Sequence, residues 1–424
     1  MFSTQTEKPA HESTSSARLD LTALVIDDRT GPPLDDVLRA VRRALDRLAV
    51  DSEIIVYSSA VGGHGQAFRD GIAAARGDHV VVIDDDFVSD PDVLCRLWEA
   101  RGDAGVVIGS RYVPGGSAQM PALRRWMSRA LNAFSRRGLS LAVHDCSSAC
   151  RLYRRDALAS VELRATDFDV LQEALIQINA DGWDIREVPF RYRSSLRWPS
   201  HERPLRFAWI FLRTFLRMWR LRNSAFSADY DERAFNSVIP LQRYWQRTRH
   251  RLIMGFLEND TRTLDIGCGS SRIIQGLPSA VGLDIQLKKL RRIHRKTSRV
   301  VQATITSLPF ASGGFETIIC SQVIEHVPRE LVDWREMNRV LVTGGTLIVG
   351  TPDYNTIAWP LLEWAYGIVH PAGYVHEHIN HYTAASLKAE LDAHGFAVTD
   401  RAYVGGGELI YKAKKLRDSS PIGS

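Results

Sequence analysis

Short apolar runs that alternate with amphipathic stretches occur in two separate series along this chain of 424 residues. The first series extends from residues 21–26 to residues 105–108, and the second from residues 263–266 to residues 346–350. Strand-length runs between helical patterns predict a parallel sheet with helices on both faces. A chain of this length is also expected to contain more than one domain. We therefore predict an α/β protein of two domains, each built on a mostly parallel sheet.

Composition sets the predicted domain boundaries. Residues 1–18 lack an apolar core and predict a disordered tail, followed by a first domain at 19–202, a basic amphipathic linker at 203–225 and a second domain at 226–424.

Hydrophobic residues make up 45% of the chain and charged residues 24%, as in soluble globular proteins. Five scattered cysteines favour reduced thiols in the cytoplasm. No run reaches the ~18 apolar residues of a membrane-spanning helix, so we do not expect an integral membrane protein. Together with the cysteines, this predicts a cytoplasmic protein.

An acidic triplet follows a buried strand in the first series. The apolar run at residues 79–83 leads into Asp84, Asp85 and Asp86, and α/β sheets bind ligands at the carboxyl ends of their strands. If the chain stays extended, Asp84 and Asp86 point to the same side. Two carboxylates so placed suit Mg²⁺ or Mn²⁺ held against a diphosphate. The alternative is that the triplet is only a solvated turn.

The motifs around this triplet occur in a characteristic order. They read GHGQAFRDGIAAARGD at 63–78, GSRYVPGG at 109–116, DCSSACRLYRRD at 145–156 and GWDIREVPF at 182–190. This order resembles the family 2 glycosyltransferases, especially the dolichyl-phosphate mannosyltransferase branch, and implies a nucleotide-diphospho-sugar transferase fold of the GT-A type. The resemblance implies a metal and diphosphate site at Asp84 and Asp86, with Asp86 catalytic. It implies a substrate pocket lined by Asp84, Arg111, Asp145, Arg151 and Glu173.

Two departures from that family occur near the start of the domain. The family usually opens with a Pro-x-Tyr-Asn-Glu turn, whereas residues 26–31 read IDDRTG. After the second strand the family carries an acidic residue that reaches the nucleotide base, whereas residues 56–63 read VYSSAVGG. We therefore expect the metal motif to be retained and the base-binding part of the site to be altered.

The second series opens with a glycine turn after a strand, TLDIGCGSS at 263–271. Gly267 and Gly269 permit a tight turn and close approach of a ligand to the backbone. The next strand, VGLDI at 281–285, ends at Asp284, which is placed to accept hydrogen bonds from ribose hydroxyls. The strings SLPF, GFETII, VIEHV, EMNRVLVTGGTL and HGF follow between residues 307 and 396.

This order resembles the class I methyltransferases that use S-adenosylmethionine, over roughly residues 226–415, and implies a Rossmann-like fold. The resemblance implies that the glycine loop holds the methionine portion of the cofactor and that Asp284 holds the ribose. The family often has an acidic residue near the adenine, where residues 303–305 read ATI, so Thr304 would replace it. The implied cofactor contacts are Asp265, Gly267, Cys268, Gly269, Asp284, Ile285, Thr304, Ile305 and Ser321.

Methyl transfer needs an aligned acceptor and, for some acceptors, a base that removes a proton. Histidine suits this role because its pKa lies near neutrality. Candidate bases are His326 and the cluster of His376, His378 and His381. The cluster is also compatible with hydrogen-bonded residues of a covering loop, or with a metal site.

Residues 203–222 combine arginines and tryptophans at helical spacing. An apolar face that includes Trp209, Leu212 and Trp219, opposite an arginine-rich face, is typical of a helix that lies on anionic lipid. The alternative is an interdomain helix whose arginines pair with acids.

A second basic run, residues 288–296, predicts a solvated face or a contact to a phosphorylated substrate. No recognition motif for nucleic acid accompanies these charges.

These features predict a bifunctional transferase of glycan, lipid-linked sugar or glycosylated natural-product biosynthesis. Its partners would be a nucleotide-sugar donor and either a polyprenyl phosphate or a glycosylated small molecule as acceptor. Peripheral contact of residues 203–222 would place it at the inner face of the cell membrane. The alternative is a methyltransferase whose glycosyltransferase-like domain only binds a ligand.

Overall fold

A computed structural model describes residues 19–28, 32–60, 62–193, 204–258, 261–297, 299–362 and 378–417. The predicted tail at residues 1–18 and the candidate base His376 lie outside these ranges. Within them the chain forms two large sheets and one two-stranded sheet. The large sheets correspond to the two series of apolar runs in the sequence.

The first large sheet is built from strands within residues 19–193. The strands of this half are β1 (Leu19–Asp27), β2 (Ser52–Ser58), β3 (Gly77–Ile83), β4 (Ala104–Ser110), β5 (Ser117–Gln119), β6 (Arg151–Arg154), β7 (Asp184–Pro189) and β8 (Arg191–Arg193). Six of them form the sheet in the order β2-β1-β3-β6-β4-β7, and β5 pairs with β8. The strand β6 is antiparallel to both neighbours, while the other pairs are parallel.

Helices cover both faces of this sheet. They are α1 (Leu34–Leu48), α2 (His64–Ala74), α3 (Val93–Glu99), α4 (Ala122–Gly138), α5 (Arg155–Ala159) and α6 (Asp169–Ala180). Successive side chains of a strand point to opposite faces, so Leu24 and Ile26 of β1 join one apolar core, while Ala23 and Val25 join the other. The continuous apolar runs of the sequence are therefore explained by burial on both sides.

The second large sheet follows the same principle. Its strands are β9 (Thr263–Ile266), β10 (Val281–Asp284), β11 (Val300–Gln302), β12 (Phe315–Ser321), β13 (Leu341–Pro352), β14 (Phe396–Val404) and β15 (Glu408–Lys415), in the order β11-β10-β9-β12-β13-β15-β14. The first five strands in this order are parallel, and β15 is antiparallel to its two neighbours. Helices of this half include α8 (Tyr230–Phe235), α9 (Pro240–Phe256), α10 (Leu287–His294), α11 (Trp334–Val340) and α12 (Ala384–Ala393). The prediction of two α/β units with mostly parallel sheets is confirmed.

A helix, α7 (Pro204–Arg222), connects the two halves. Its buried side packs on the first half through Phe215 and Met218. The opposite side leaves Trp209 67% exposed and Trp219 38% exposed. The side chain of Arg222 is buried and pairs with Asp229 at 2.7 Å. The helix therefore combines an exposed apolar stripe with internal ion pairs, and no helix of the described ranges has the length and apolarity to cross a membrane.

The basic run at residues 288–296 lies between the two halves. Arg291 donates to the carboxylate of Asp181 at 2.6 Å, and Arg295 donates to that of Asp184 at 2.8 Å. Gly182 adopts a φ of +85°, and a Cβ on it would lie 2.2 Å from the carbonyl oxygen of Lys288. The run is thus an interface in which only glycine permits the close approach, and the prediction of a solvated face is wrong for these arginines.

Candidate functional sites in the two domains

The acidic triplet lies where β3 ends. The strand stops at Ile83, and residues Asp85–Ser89 form a short 3₁₀ helix. Asp84 caps this helix by accepting a hydrogen bond from the backbone N–H of Asp86 at 3.2 Å. The expectation of an extended chain through Asp86 is therefore wrong, because the backbone turns helical after Asp84. Both carboxylates remain at the carboxyl end of the sheet and partly exposed.

Arg111, directly after β4, forms a buried ion pair near this end of the sheet. Its guanidinium donates to both carboxylate oxygens of the fully buried Asp145, at 2.7 Å each. Burial alone would raise the pKa of Asp145, but the charge and hydrogen bonds of Arg111 outweigh burial and lower it. A bidentate pair of this kind fixes the guanidinium plane, so Arg111 is held rigidly beside the cavity that it lines.

That cavity has a volume of about 370 Å³ and is strongly basic. Besides Arg111, its lining includes Arg129, Arg136 and Arg137 of α4, together with His144. Several guanidinium groups around one cavity repel each other, and an anion that binds between them relieves the repulsion. Sequence analysis did not single out the arginines of α4. Their recurrence at helical spacing is the signal that could have identified them.

Two residues of the predicted substrate pocket lie elsewhere. Arg151 is fully buried and donates to the backbone carbonyls of Cys146, Ser148 and Leu171. Its guanidinium thus supports the fold, and in the structure it does not line the cavity beside Arg111, although the resemblance implied a place in the substrate pocket.

Glu173 is also buried. It accepts the backbone N–H groups of Arg164 and Ala165 at 2.8 and 2.7 Å, and it pairs with Arg217 of α7 at 2.7 Å. The carboxylate therefore anchors α7 to the first domain. This position gives Glu173 a structural role, because its oxygens are occupied by the protein itself.

The glycine loop after β9 has the backbone that its sequence predicts. Gly267 and Gly269 adopt φ values of +70° and +52°, in the left-handed region that favours glycine. Asp284, at the end of β10, accepts the N–H of Gly269 at 2.9 Å and that of Gln286 at 2.8 Å. The carboxylate of Asp284 thus holds the loop in place, besides its predicted contact to ribose.

A cavity of about 340 Å³ opens beside this loop. Of the predicted residues, its lining includes Asp265, Gly267, Cys268, Ser321, His326 and His378. The predicted ribose and adenine contacts lie outside this lining, at the ends of β10 and β11. Among them Ile305 is buried, whereas Ile285 is 63% exposed and Thr304 is exposed. The cavity therefore corresponds to the methionine end of the predicted cofactor site and to the space next to it.

Asp265 gives the cavity its most unusual electrostatic feature. Its carboxyl group is buried, and the oxygen Oδ2 has no hydrogen-bond partner. Burial, reinforced by the nearby charges of Asp284 and Asp231, raises the pKa of Asp265 to about 8. An unpaired buried carboxyl group is costly, and a cationic ligand group would satisfy it. The residues present thus fit the ammonium end of S-adenosylmethionine.

Helices α8 and α9 contribute a second wall that sequence analysis missed. Trp245 of α9 and Trp359 line the cavity with rings 6.0 Å apart. Arg249 of α9 also lines it and donates to both oxygens of the buried Glu408 at 2.6 and 2.7 Å. Because Arg249 is already paired, the wall offers a ligand mainly aromatic surface.

Among the described candidate bases, two meet in the cavity. The rings of His326 and His378 lie 4.9 Å apart, and the Nδ1 atom of His378 shares a hydrogen bond of 2.9 Å with the hydroxyl of Tyr354. Burial, with the charges of His326 and His381, lowers the pKa of His378 to about 4. His381 is exposed and stacks on Tyr354 at 4.1 Å. His381 is therefore not part of the cavity lining, and it contacts Tyr354, which in turn bonds to His378.

Glu325 lies next to His326 and had not been assigned a role. It is fully buried, and its oxygen Oε1 has no hydrogen-bond partner. Burial and the charge of Glu408 raise the pKa of Glu325 to about 8. A carboxyl group with such a pKa can both gain and lose a proton near neutral pH, and its ionised form makes Glu325 a candidate proton acceptor.

Comparison with known proteins agrees with both halves of this description. Residues 11–161 match the family model described as glycosyl transferase family 2, and residues 238–401 match the model described as a methyltransferase domain. The chain therefore joins two transferase domains, a family 2 glycosyltransferase domain and a methyltransferase domain. The resemblance found in the sequence is confirmed.

Curated relatives match the N-terminal half. A polyprenol monophosphomannose synthase of Mycolicibacterium smegmatis is 33% identical over 40% of this chain and 65% of the relative. An undecaprenyl-phosphate mannosyltransferase of Micrococcus luteus is 34% identical over 34% of this chain and 59% of the relative. The chain thus spans less than two thirds of the length of these relatives.

Among solved structures, a SAM-dependent methyltransferase of Thermotoga maritima has a TM-score of 0.37 and 19% identity, over 43% of this chain and 93% of that one.

Proposed function

We propose that the chain is a bifunctional enzyme of glycan or lipid-linked sugar biosynthesis. Its first domain transfers a sugar from a nucleotide donor to a polyprenyl phosphate or a related acceptor. Its second domain methylates the resulting product or a similar molecule with S-adenosylmethionine. The observation that carries the first activity is the arginine-lined cavity at the carboxyl end of β4, because such a concentration of positive charge suits a phosphate group.

In the first domain, Asp84 and Asp86 would hold Mg²⁺ or Mn²⁺, which supports the leaving diphosphate. The arginines of α4 would neutralise the acceptor phosphate and align it. Because a phosphate oxygen is already anionic, its attack on the sugar needs no strong base. The rigid pair of Arg111 and Asp145 keeps one donor group at a fixed distance from the incoming phosphate.

In the second domain, bound S-adenosylmethionine supplies a methyl group on an activated sulfonium. Asp265 would pair with its ammonium group, and the glycine loop would approach its methionine portion. The aromatic wall of Trp245 and Trp359 would hold the acceptor against the sulfonium. Glu325 or His378 would accept the proton that the acceptor loses.

The first test uses the full chain with labelled nucleotide sugars and a polyprenyl phosphate in detergent. Sugar transfer is expected to require Mg²⁺ or Mn²⁺ and to be lost in Asp86→Asn. The matched control is Asp92→Asn, since Asp92 is exposed and paired with Arg47 on the surface. Transfer at the wild-type rate by Asp86→Asn would contradict the proposed metal site.

The second test follows methyl transfer from labelled S-adenosylmethionine to the glycosylated product. Asp265→Asn is expected to lose activity, whereas the exposed Asp400→Asn is not. If Asp265→Asn binds the cofactor and methylates like the wild type, the assignment of this cavity is incorrect.

A second candidate function is a methyltransferase with a ligand-binding first domain. The altered segment at residues 56–63 favours it, because this segment reads VYSSAVGG and contains no acidic residue, whereas the family carries an acidic contact to the nucleotide base there. His64 begins α2 there, buried and stacked on Phe168 at 4.1 Å. Under this alternative, Asp86→Asn leaves the methylated product and its yield unchanged.

We also propose that α4 and α7 contact anionic lipid. Trp209 and Trp219 of α7 and Trp126 of α4 are exposed, and the two helices adjoin where Phe134 meets Phe215 at 4.5 Å between ring centres. Exposed aromatic groups among arginines suit a membrane interface.

Flotation with vesicles that contain phosphatidylglycerol tests this contact. Trp209→Glu is expected to reduce binding of the full chain. The control is the same change at Val238, an isolated apolar residue that is 90% exposed. Equal binding of the two variants would contradict a lipid contact through α7.

A further inference from the structure

A cluster of three potential ligands lies on the wall of the methyltransferase cavity. One side-chain ligand atom from each of Glu325, His326 and His378 lies within 4.8 Å of the other two. The carboxylate of Glu325 is fully buried with Oε1 unpaired, and both histidines line the cavity. Two imidazoles and one carboxylate form a ligand set that binds zinc in catalytic sites.

The backbone holds the two segments that carry these ligands together. The N–H groups of Ile379 and Asn380 donate to the carbonyl oxygen of Glu325 at 2.8 and 3.1 Å. The side-chain amide of Asn380 donates to the carbonyl oxygen of Ile324 at 3.0 Å and to that of Val327. These four hydrogen bonds fix residues 324–327 against residues 378–380. The fold therefore pre-organises the two backbone segments that carry the three ligands.

An outer partner orients one of the histidines. The hydroxyl of Tyr354 hydrogen-bonds to one ring nitrogen of His378, and His381 supports Tyr354 by stacking on it. Metal-ligating histidines commonly use one ring nitrogen for such an outer hydrogen bond. Unpaired polar atoms also surround the cluster in the cavity wall, namely Oγ of Ser321 and Nε1 of Trp359. They would be satisfied by groups of a bound ligand.

We propose that Glu325, His326 and His378 bind one Zn²⁺ ion that presents an open coordination position to the cavity and binds a hydroxyl group of the methyl acceptor there. This inference rests on the proposed methyltransferase activity. Ligand atoms around a tetrahedral zinc with bonds of about 2.0–2.2 Å lie roughly 3.4 Å apart. The observed spacing needs shifts of about 1 Å, which small side-chain rotations supply.

The role of the ion would be to lower the pKa of the bound hydroxyl group. Because Glu325 and His378 then serve as zinc ligands, the hydroxyl proton leaves to water instead of to either side chain, and the oxygen stays bound as an alkoxide. Its electron pair then forms the new bond to the methyl carbon, while the carbon–sulfur bond breaks and its electron pair remains on sulfur as a thioether. The aromatic wall and the metal together favour an acceptor with an apolar or sugar ring and at least one hydroxyl group.

The test measures metal binding to the full chain. The chain carries Asp84→Asn and Asp86→Asn so that the acidic motif of the first domain does not contribute. After treatment with a chelator, we expect it to bind one equivalent of Co²⁺ with the visible absorption of a tetrahedral site, and Zn²⁺ to displace the Co²⁺. Absence of stoichiometric binding overturns the proposal.

Variants assign the ligands. His378→Gln and Glu325→Gln are expected to weaken Zn²⁺ binding by at least about 100-fold, and Tyr354→Phe by about 10- to 100-fold. His394→Gln is the matched control and should bind as the parent does, since His394 is not part of the cavity lining and its ring contacts the backbone carbonyl of Glu390. Parent-like affinity in both His378→Gln and Glu325→Gln overturns the proposal. If Glu325→Gln does not fold, the Zn²⁺ affinity of His378→Gln decides alone, since His378 is partly exposed and its replacement disturbs the core less.

Calorimetry with S-adenosylmethionine separates this proposal from the activity on which it rests. A chain that binds Zn²⁺ at these ligands but not the cofactor retains the metal site and rejects the methyltransferase activity. A chain that binds the cofactor but not Zn²⁺ retains the proposed activity and rejects the metal site.

Discussion

The change Gly267→Ala tests the glycine loop by adding a single methyl group. At a φ of +70°, a Cβ on Gly267 would lie 2.2 Å from Cγ2 of Val323. Left-handed backbone costs a non-glycine residue about 1–2 kcal/mol, and an extra methyl group in a packed core costs about 1–3 kcal/mol. We therefore expect the free energy of unfolding of this domain to fall by about 2–5 kcal/mol.

Two further variants separate the backbone cost from the clash. Gly344 has a similar φ of +78°, but a Cβ there meets no atom within 4 Å, so Gly344→Ala should cost only the backbone share of about 1–2 kcal/mol. In the double variant Gly267→Ala/Val323→Ala, Cγ2 is gone and the next contact, Cβ of residue 323, lies at 3.5 Å. The double variant should recover about 1–3 kcal/mol relative to the sum of the single changes.

Hydrogen exchange of the full chain, read by mass spectrometry on peptides from β9 and β10, measures the result. It reports the opening free energy of this domain separately from the first domain. If Gly267→Ala and Gly344→Ala destabilise these strands equally, within about 0.5 kcal/mol, the clash with Val323 does not occur. The same conclusion follows if the double variant loses as much free energy of unfolding as the two single changes together.

Three more predictions concern other parts of the chain. Arg222→Ala removes the ion-pair partner of the buried Asp229 and should lower stability by about 3–5 kcal/mol; a melting temperature unchanged from the wild type would contradict this. Because the pKa of Asp265 is raised to about 8 in the folded state and is about 3.9 when unfolded, this group costs increasing stability as the pH rises between those values. Asp265→Asn should therefore gain in melting temperature over the wild type from pH 5 to pH 8, and parallel curves would refute the shift. Gly182→Ala should loosen the contact to Lys288 between the domains, seen as faster proteolysis of the linker, and an unchanged cleavage rate would count against a tight interface.

The two sheets were predictable because the alternation of apolar strand-length runs with amphipathic helical stretches can be read along the chain. Each buried strand is a short apolar run, and the same run supplies side chains to the cores on both faces, as Ala23 and Leu24 do in β1. The path of the chain after Asp84 was not predictable in this way. A capping hydrogen bond from Asp86 starts a helical turn there, and the strand pattern contains no signal for it.

Parts of the candidate sites were predictable where their residues directly follow a strand that the sequence itself identifies. Gly267, Gly269 and Asp284 belong to consecutive strand ends, which parallel pairing brings to the same edge. The arginines of α4 and the carboxyl group of Glu325 escaped notice because their role depends on what packs beside them. Sequence patterns record spacing along one element, and neither cavity is formed by a single element.

By itself, the sequence determined two α/β units, the positions of their glycine and acidic loops, and a basic amphipathic helix between them. Only the tertiary structure decided which charged residues are available to ligands. Arg151 and Glu173 are occupied by backbone groups and by Arg217, and Arg291 is occupied by the opposite domain. The physical reason is that a charged side chain must be paired when burial removes it from water, and its partner is set by contacts between residues distant in sequence.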